Sequence, residues 1–432
     1  MYWDPVCLAL LIASIGFNYT IAGTAIRSAN IKWVHFGAIA NLLSLAYFKY
    51  AIFFADTASS AIGIDVRIND IILPLGISFF TFHQITYLYD SFNRVVPRVG
   101  LRDYTLYIAF FPQLIAGPIV RAREFIPQLS PYKGTLYFLR HTAIGLSLFS
   151  FGLFKKSFVA DEFAIYANKF FMIPVESMTA SPIDSWVGSL CYTFQLYFDF
   201  SGYSDMALGL ALLFGFRLPI NFYSPYKSLN ISEFWKRWHM SMSRFFRDYL
   251  YIPLGGSRCS KNRTILNLLI TMILVGFWHG AGWTFIIWGA MHGIFLAIHR
   301  IYRWGIGKHQ PNNLSYKILS HILTFIAIVS AWVFFRATSL EQAAHILGSM
   351  FGFVPSNHFY AGSEKAILYI IMGYAACMTL PSSMAYFRMA EQEGPIKLRF
   401  RPHLKSAIAI SVIFCLSLMM LSRVSEFLYF QF

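Results

Sequence analysis

The chain has 432 residues, of which 57% are apolar, 18% aromatic and only 13% charged, with a mean hydropathy of +0.53. A soluble domain carries about 25% charged residues, so a water-soluble globular enzyme is excluded and a polytopic, all-α membrane protein is expected. The net charge of +15 comes from basic residues set between apolar runs, the distribution of cytoplasmic loops rather than of a nucleic-acid surface.

Met1-Tyr2-Trp3-Asp4 brings neither a basic region nor a small-residue cleavage site, so no removable signal peptide is read there. A membrane-crossing helix needs about 20 mostly apolar residues. Candidate stretches run over 5–26, 33–54, 69–89, 104–120, 135–160, 183–215, 264–279, 283–299, 318–337, 366–386 and 405–430. Some are too short or interrupted to span, so about ten crossings with re-entrant pieces are expected. The basic segments 90–103 (Arg94, Arg98, Arg102), 121–140 (Arg121, Arg123, Lys133, Arg140) and 217–263 are assigned to the cytoplasm by the positive-inside rule. Segments 54–70 (Asp56, Asp65, Asp70) and 161–184 (Asp161, Glu162, Glu176, Asp184) lean acidic. No repeat or separable soluble domain is visible, and 1–432 reads as one integral-membrane domain. The five cysteines carry no metal spacing or disulfide framework.

Asp199 and Asp205 interrupt an apolar run, and a neighbouring arginine is the economical partner for each. Segment 230–251 reads as one amphipathic interfacial helix. At about 100° per residue, Phe234, Trp235, Trp238, Met242, Phe245, Phe246 and Tyr249 share one face, with His239 on that apolar side. Lys236, Arg237, Arg244, Arg247 and Asp248 face the other way. Asn230 and Ser232 are candidate N-caps, and Pro253 with Gly255-Gly256 ends the helix. The cationic face suits lipid headgroups or the phosphates of a nucleotide-bearing cofactor.

From Thr264 to Ile298 there is no Asp, Glu, Lys or Arg. One straight helix of that length would reach about 52 Å, beyond a hydrocarbon core of about 30 Å. Gly280-Ala281-Gly282 is the place to break it. Both flanks are basic, so a hairpin returning to the same side is expected, with His279 at its inner turn. An ionisable side chain at membrane depth is a functional-site hypothesis. A shielded imidazole can take a proton from a hydroxyl near neutral pH, whereas a packing histidine bonded to a carbonyl is the plainer alternative. For His239, structure and function are balanced; His292 and His83 read as packing groups.

At these residues the chain resembles the membrane-bound O-acyltransferase (MBOAT) family, in its alginate O-acetylation branch. The resembling pieces are Leu73-Pro74-Leu75-Gly76-Ile77-Ser78-Phe79-Phe80-Thr81-Phe82, Ala116-Gly117-Pro118-Ile119-Val120-Arg121 and Asp199-Phe200-Ser201-Gly202-Tyr203-Ser204-Asp205. Phe234-Trp235-Lys236-Arg237-Trp238-His239, Arg247-Asp248-Tyr249-Leu250-Tyr251-Ile252-Pro253-Leu254-Gly255-Gly256 and Phe277-Trp278-His279-Gly280 complete a series over roughly 70–300. The resemblance implies transmembrane, re-entrant and interfacial helices around a central tunnel. It puts His279 at the family's essential histidine and His239 at its second site. It also implies acetyl-CoA on the cytoplasmic side, an exported or cell-envelope polysaccharide as acceptor, and an extracytoplasmic acetyltransferase- or esterase-like partner protein at the cell membrane. Lys236, Arg237, Arg244 and Arg247 are the candidate donor-binding residues; no metal is expected. Members of this branch carry a further hydrophobic helix before the one at 5–26, which implies a late start or one upstream of Met1. D-alanyl transfer to teichoic acid is the alternative within the class, and a proton-coupled transporter or flippase is the alternative outside it.

Overall fold

A computed structural model describes residues 5–63, 68, 71–115, 117–129, 134–306, 313–354, 363–387, 389, 400–421 and 428. Met1–Asp4, Asp65, Asp70, Ala116, Lys133 and most of the chain beyond Leu421 therefore lie outside the described residues. All the regular secondary structure among those residues is helical. In chain order the main helices are α1 Pro5–Ser28, α2 Ile31–Ile62, α3 Ile77–Phe92, α4 Leu101–Ala109, α5 Thr135–Phe154, α6 Asp161–Phe171 and α7 Pro182–Leu213. They continue with α8 Ile231–Trp235, α9 Met240–Phe246, α10 Lys261–His279, α11 Trp283–Ile306, α12 Leu314–Arg336, α13 Leu340–Met350, α14 Ser363–Thr379 and α15 Leu404–Met420.

Among the described residues, five continuous helical stretches are long and apolar enough to cross a membrane: α1, α2, the 37-residue run Thr135–Phe171, α11 and α12. About ten crossings were expected, and other candidate stretches fall short of that length or apolarity for local reasons. The stretch 104–120 is no single helix, because α4 ends at Ala109 and only a short turn of helix, Phe111–Leu114, follows. Helices α3, α14 and α15 have 16 or 17 residues, about 25 Å at 1.5 Å per residue. Helix α7 has the length, 32 residues, but carries Asp184, Asp199 and Asp205.

The chain divides into two compact units, residues 1–145 with 207–219 and residues 146–206 with 220–432. In the first, α1, α2 and α3 pack together around buried amides. Asn41 Nδ2 donates to Asn18 Oδ1 at 2.6 Å, and Asn18 also bonds Gln84. Interhelical amide bonds of this kind hold apolar helices together where lipid gives no hydrophobic drive. His83 is a packing group, as expected: its Nε2 accepts from the Val120 N–H at 3.2 Å, and its ring lies 5.7 Å from Tyr107.

In the second unit a π-helical turn, Lys155–Ala160, joins α5 to α6. It brings two lysines to the acidic residues of α7. Lys155 Nζ lies 2.8 Å from Asp205, and Lys156 Nζ lies 2.7 Å from Asp161 and 2.9 Å from Asp199. The carboxylates of α7 are thus paired by lysines, not by the expected arginines. Asp161, assigned to an acidic loop from the sequence, belongs to the helix and is buried. Removing a charge from water is repaid only when its partners are well placed, and here two cations answer three carboxylates.

The expected hairpin forms from α10 and α11, broken at 280–282. Its helices touch through glycines: a Cβ on Gly276 would overlap the Phe285 carbonyl oxygen and come within 3.0 Å of Gly289 Cα. Small residues at such crossings let backbones approach closely.

Candidate functional site

The site lies wholly in the second unit, on α7, the segment 220–241, the α10–α11 hairpin and α12. His279 is the last residue of α10, and the next residue, Gly280, has extended backbone (φ −162°). The imidazole is 5% exposed. Its ring centroid lies 4.9 Å from Trp278, 5.1 Å from Trp288 and 5.2 Å from Phe335. A helix C-terminus carries partial negative charge, so a positive charge arising on this ring during proton uptake is favoured. The hairpin thus does what its glycine break suggested: it ends one helix on an imidazole enclosed by aromatic walls.

The single amphipathic helix expected over 230–251 does not form. The chain runs as α8, a non-helical turn at 236–239, α9 and a π-helical turn Arg247–Tyr251. His239 occupies the break with left-handed backbone, φ +41° and ψ +53°. Tertiary contacts account for this, because Tyr223 N–H donates to Arg237 O at 2.9 Å and Met240 N–H donates to Asn221 O at 3.0 Å. These cross-bonds hold the turn open where a helix would bond within itself. His239 is consequently buried completely. Its ring stands edge-on to Phe200 at 4.8 Å and lies 6.3 Å from the His279 ring. Burial pushes its pKa down to about 3, so it stays neutral at physiological pH.

The break also disperses the cationic face. Lys236 is exposed. Arg237 is bound to Glu233 at 2.8 Å and stacks over Tyr223 at 5.6 Å. Arg247, 56% exposed, pairs with Asp248 at 2.7 Å, and Arg244 is half-buried. Lys236 and Arg247 therefore offer accessible charge, whereas Arg237 is engaged within the protein. Beside them, an apolar cavity of about 210 Å³ is lined by residues including Trp235, Met242, Phe246, Arg247, Thr271 and Val275. Phe246 lies 6.2 Å from Trp278, which adjoins His279.

His292 is fully buried within 5.0 Å of Trp288 and 5.1 Å of Trp235, and its ring nitrogens have no hydrogen-bond partner among the described residues. It packs behind the site, as its apolar neighbours suggested. Trp288, Trp332 and Phe335, which form the wall beside His279, were missed in the sequence. Nothing in an apolar, aromatic-rich helix distinguishes a wall residue from a lipid-facing one. Lys155-Lys156 was also missed, although two adjacent lysines inside an apolar run are a visible signal. Among the described residues no three His, Cys, Asp or Glu side chains gather as a metal site.

Two buried imidazoles thus lie 6.3 Å apart within aromatic walls, beside an apolar cavity that the exposed Arg247 helps to line. The sequence profile of the membrane-bound O-acyltransferase family matches residues 96–341. The chain belongs to that family, and it is an acyltransferase; the transporter reading falls with this. It is 43% identical to the peptidoglycan O-acetyltransferase of Helicobacter pylori over 81% of this chain and 71% of the relative. It is 37% identical to a Pseudomonas putida protein named "Probable alginate O-acetylase AlgI", over all of this chain and 92% of the relative. The teichoic acid D-alanyltransferase of Streptococcus thermophilus is more distant, 30% identical over 60% of this chain and 68% of the relative.

Proposed function

We propose that this acyltransferase moves an acetyl group from a cytoplasmic thioester, acetyl-CoA, to a hydroxyl of an exported or cell-envelope polysaccharide. The observation that carries the proposal is the pair of buried imidazoles 6.3 Å apart at the end of the broken hairpin. His279 acts as the general base. It takes the proton from the acceptor hydroxyl, the oxygen attacks the thioester carbonyl, the C–S bond breaks, and the leaving sulfur receives that proton back from His279 to depart as free CoA thiol. His239 orients the acceptor or polarises the carbonyl. A neutral ring can do this by donating one hydrogen bond.

The donor's phosphates bind at the accessible cations Lys236 and Arg247, with Arg244 and Arg237 beside them, and the thioester arm uses the apolar cavity under Phe246. The whole chain acts as one enzyme domain in the cell membrane. An extracytoplasmic partner protein completes transfer to the polymer. Acetyl transfer is favoured over D-alanyl transfer because the relatives named O-acetyltransferase or O-acetylase share more identity over more of the chain.

Purified protein incubated with acetyl-CoA should release free thiol slowly and leave added polysaccharide unmodified until the partner is supplied. Absence of thiol release under conditions where a D-alanyl thioester is cleaved would overturn the acetyl assignment. Efficient acetylation of polymer by the single chain would overturn the need for a partner.

A further inference from the structure

Left-handed backbone at a non-glycine residue is strained, and it persists where the surroundings over-determine it. At His239 the restraint converges on a residue eighteen positions upstream in another segment. Asn221 is 1% exposed. Its carbonyl oxygen accepts from Met240 N–H at 3.0 Å, and its side-chain Oδ1 accepts from both Ser241 N–H, at 3.2 Å, and Ser241 Oγ, at 2.6 Å. Its Nδ2 donates to Ser204 Oγ at 3.4 Å, which ties the same side chain to α7, the helix that carries Phe200 against the His239 ring. Asn221 therefore grips the two residues after His239, Met240 through its backbone carbonyl and Ser241 through its side chain, and that side chain links them to the helix that packs on the ring from the other side.

We infer that Asn221 is a positioning residue for His239: it holds the turn at 239 in the left-handed conformation that aims the imidazole at His279. The inference rests on the proposed role of His239. A helix-forming turn at 236–240 would satisfy Met240 and Ser241 N–H internally and carry the ring away from the hairpin. Asn221 answers the same two N–H groups from outside the helix and adds the Ser241 hydroxyl bond, which that alternative would lose. Asparagine suits the task, because one short side chain supplies an acceptor to a backbone N–H and a hydroxyl together, with a donor left for a third group.

The test compares wild type, Asn221→Ala, Asn221→Asp, His239→Asn and the Asn221→Ala/His239→Asn double variant. The readouts are kcat and KM for thiol release from acetyl-CoA, normalised to monodisperse protein. Asn221→Ala should lower kcat about tenfold or more, since misplacing a reacting group by about 1 Å can cost ~100-fold, with KM unchanged. Asn221→Asp retains the Oδ1 acceptor and should recover most of that loss. In the double variant Asn221→Ala should add nothing to His239→Asn, the non-additivity expected of residues acting through one another. Should Asn221→Ala not fold, Ser241→Ala removes the shorter hydrogen bond and should cost about fivefold in kcat, close to one net hydrogen bond, again only when His239 is present. Wild-type kcat in folded Asn221→Ala, or independent losses in the double variant, would overturn the inference while leaving the role of His239 intact. Unchanged kcat in His239→Asn would overturn both.

Discussion

Replacing His279 by glutamine separates chemistry from packing. The imidazole is held by three rings at 4.9–5.2 Å, so truncation to alanine would open a cavity costing about 2–5 kcal/mol by analogy with other large-to-small core changes. Glutamine keeps most of the volume and a hydrogen-bond donor but cannot take a proton near neutral pH. General-base contributions amount to roughly 10²–10⁴ in rate, or about 2.7–5.5 kcal/mol at 1.36 kcal/mol per tenfold. His279→Gln should therefore lose that factor in kcat while its thermal midpoint and its affinity for acetyl-CoA stay near wild type. The assay is thiol release in detergent or proteoliposomes, paired with direct binding of acetyl-CoA and a thermal melt. A KM effect with unchanged kcat would point to substrate binding alone. Turnover within about threefold of wild type in well-folded His279→Gln would place the base elsewhere, since general-base loss costs far more.

Lys156→Met should destabilise the second unit by about 3–5 kcal/mol, because it strands Asp161 and Asp199 as buried charges; Asp161→Asn with Asp199→Asn should restore the thermal midpoint, and no rescue would refute the pairing. Gly276→Ala should lower stability by about 1–3 kcal/mol through overpacking against Phe285 and Gly289, whereas Gly16→Ala, which meets nothing within 4 Å, serves as the neutral comparison. Burial depresses the His239 pKa from 6.5 to about 3, so its contribution is fully present above pH 6.5 and is lost as pH falls toward 3. The native state should lose up to about 1.4 kcal/mol per pH unit on acidification below 6.5 through this residue, and His239→Asn should flatten that slope in pH-dependent melts; parallel slopes would contradict the buried neutral ring. Lys236→Gln and Arg247→Gln should raise the apparent KM for acetyl-CoA, more so at low salt, where exposed charges are least screened, and unchanged KM in both would leave these residues to lipid anchoring.

Composition determined the solvent in which this protein folds, because 13% charged residues cannot cover a water-exposed surface. The break at Gly280-Ala281-Gly282 was legible for a similar reason: an uncharged run longer than the bilayer must turn, and the paired glycines there mark the obvious place for it. That put His279 at a helix end before any coordinates. The resemblance in the motifs around His239 and His279 also carried the family, which covers residues 96–341. His239 was legible as a residue and not as a geometry. Periodicity over 230–251 counts only local preferences, and by that count the segment is one helix. Its interruption at 236–239 comes from hydrogen bonds to Asn221 and Tyr223, partners too distant in sequence for a helical period to register. The same limit hid Lys155 and Lys156 as partners of α7. Burial and period follow from each residue's own chemistry. Which side chains meet is decided only when separate segments compete for the same hydrogen bonds and charges, and at His239 the distant partners win over the helix.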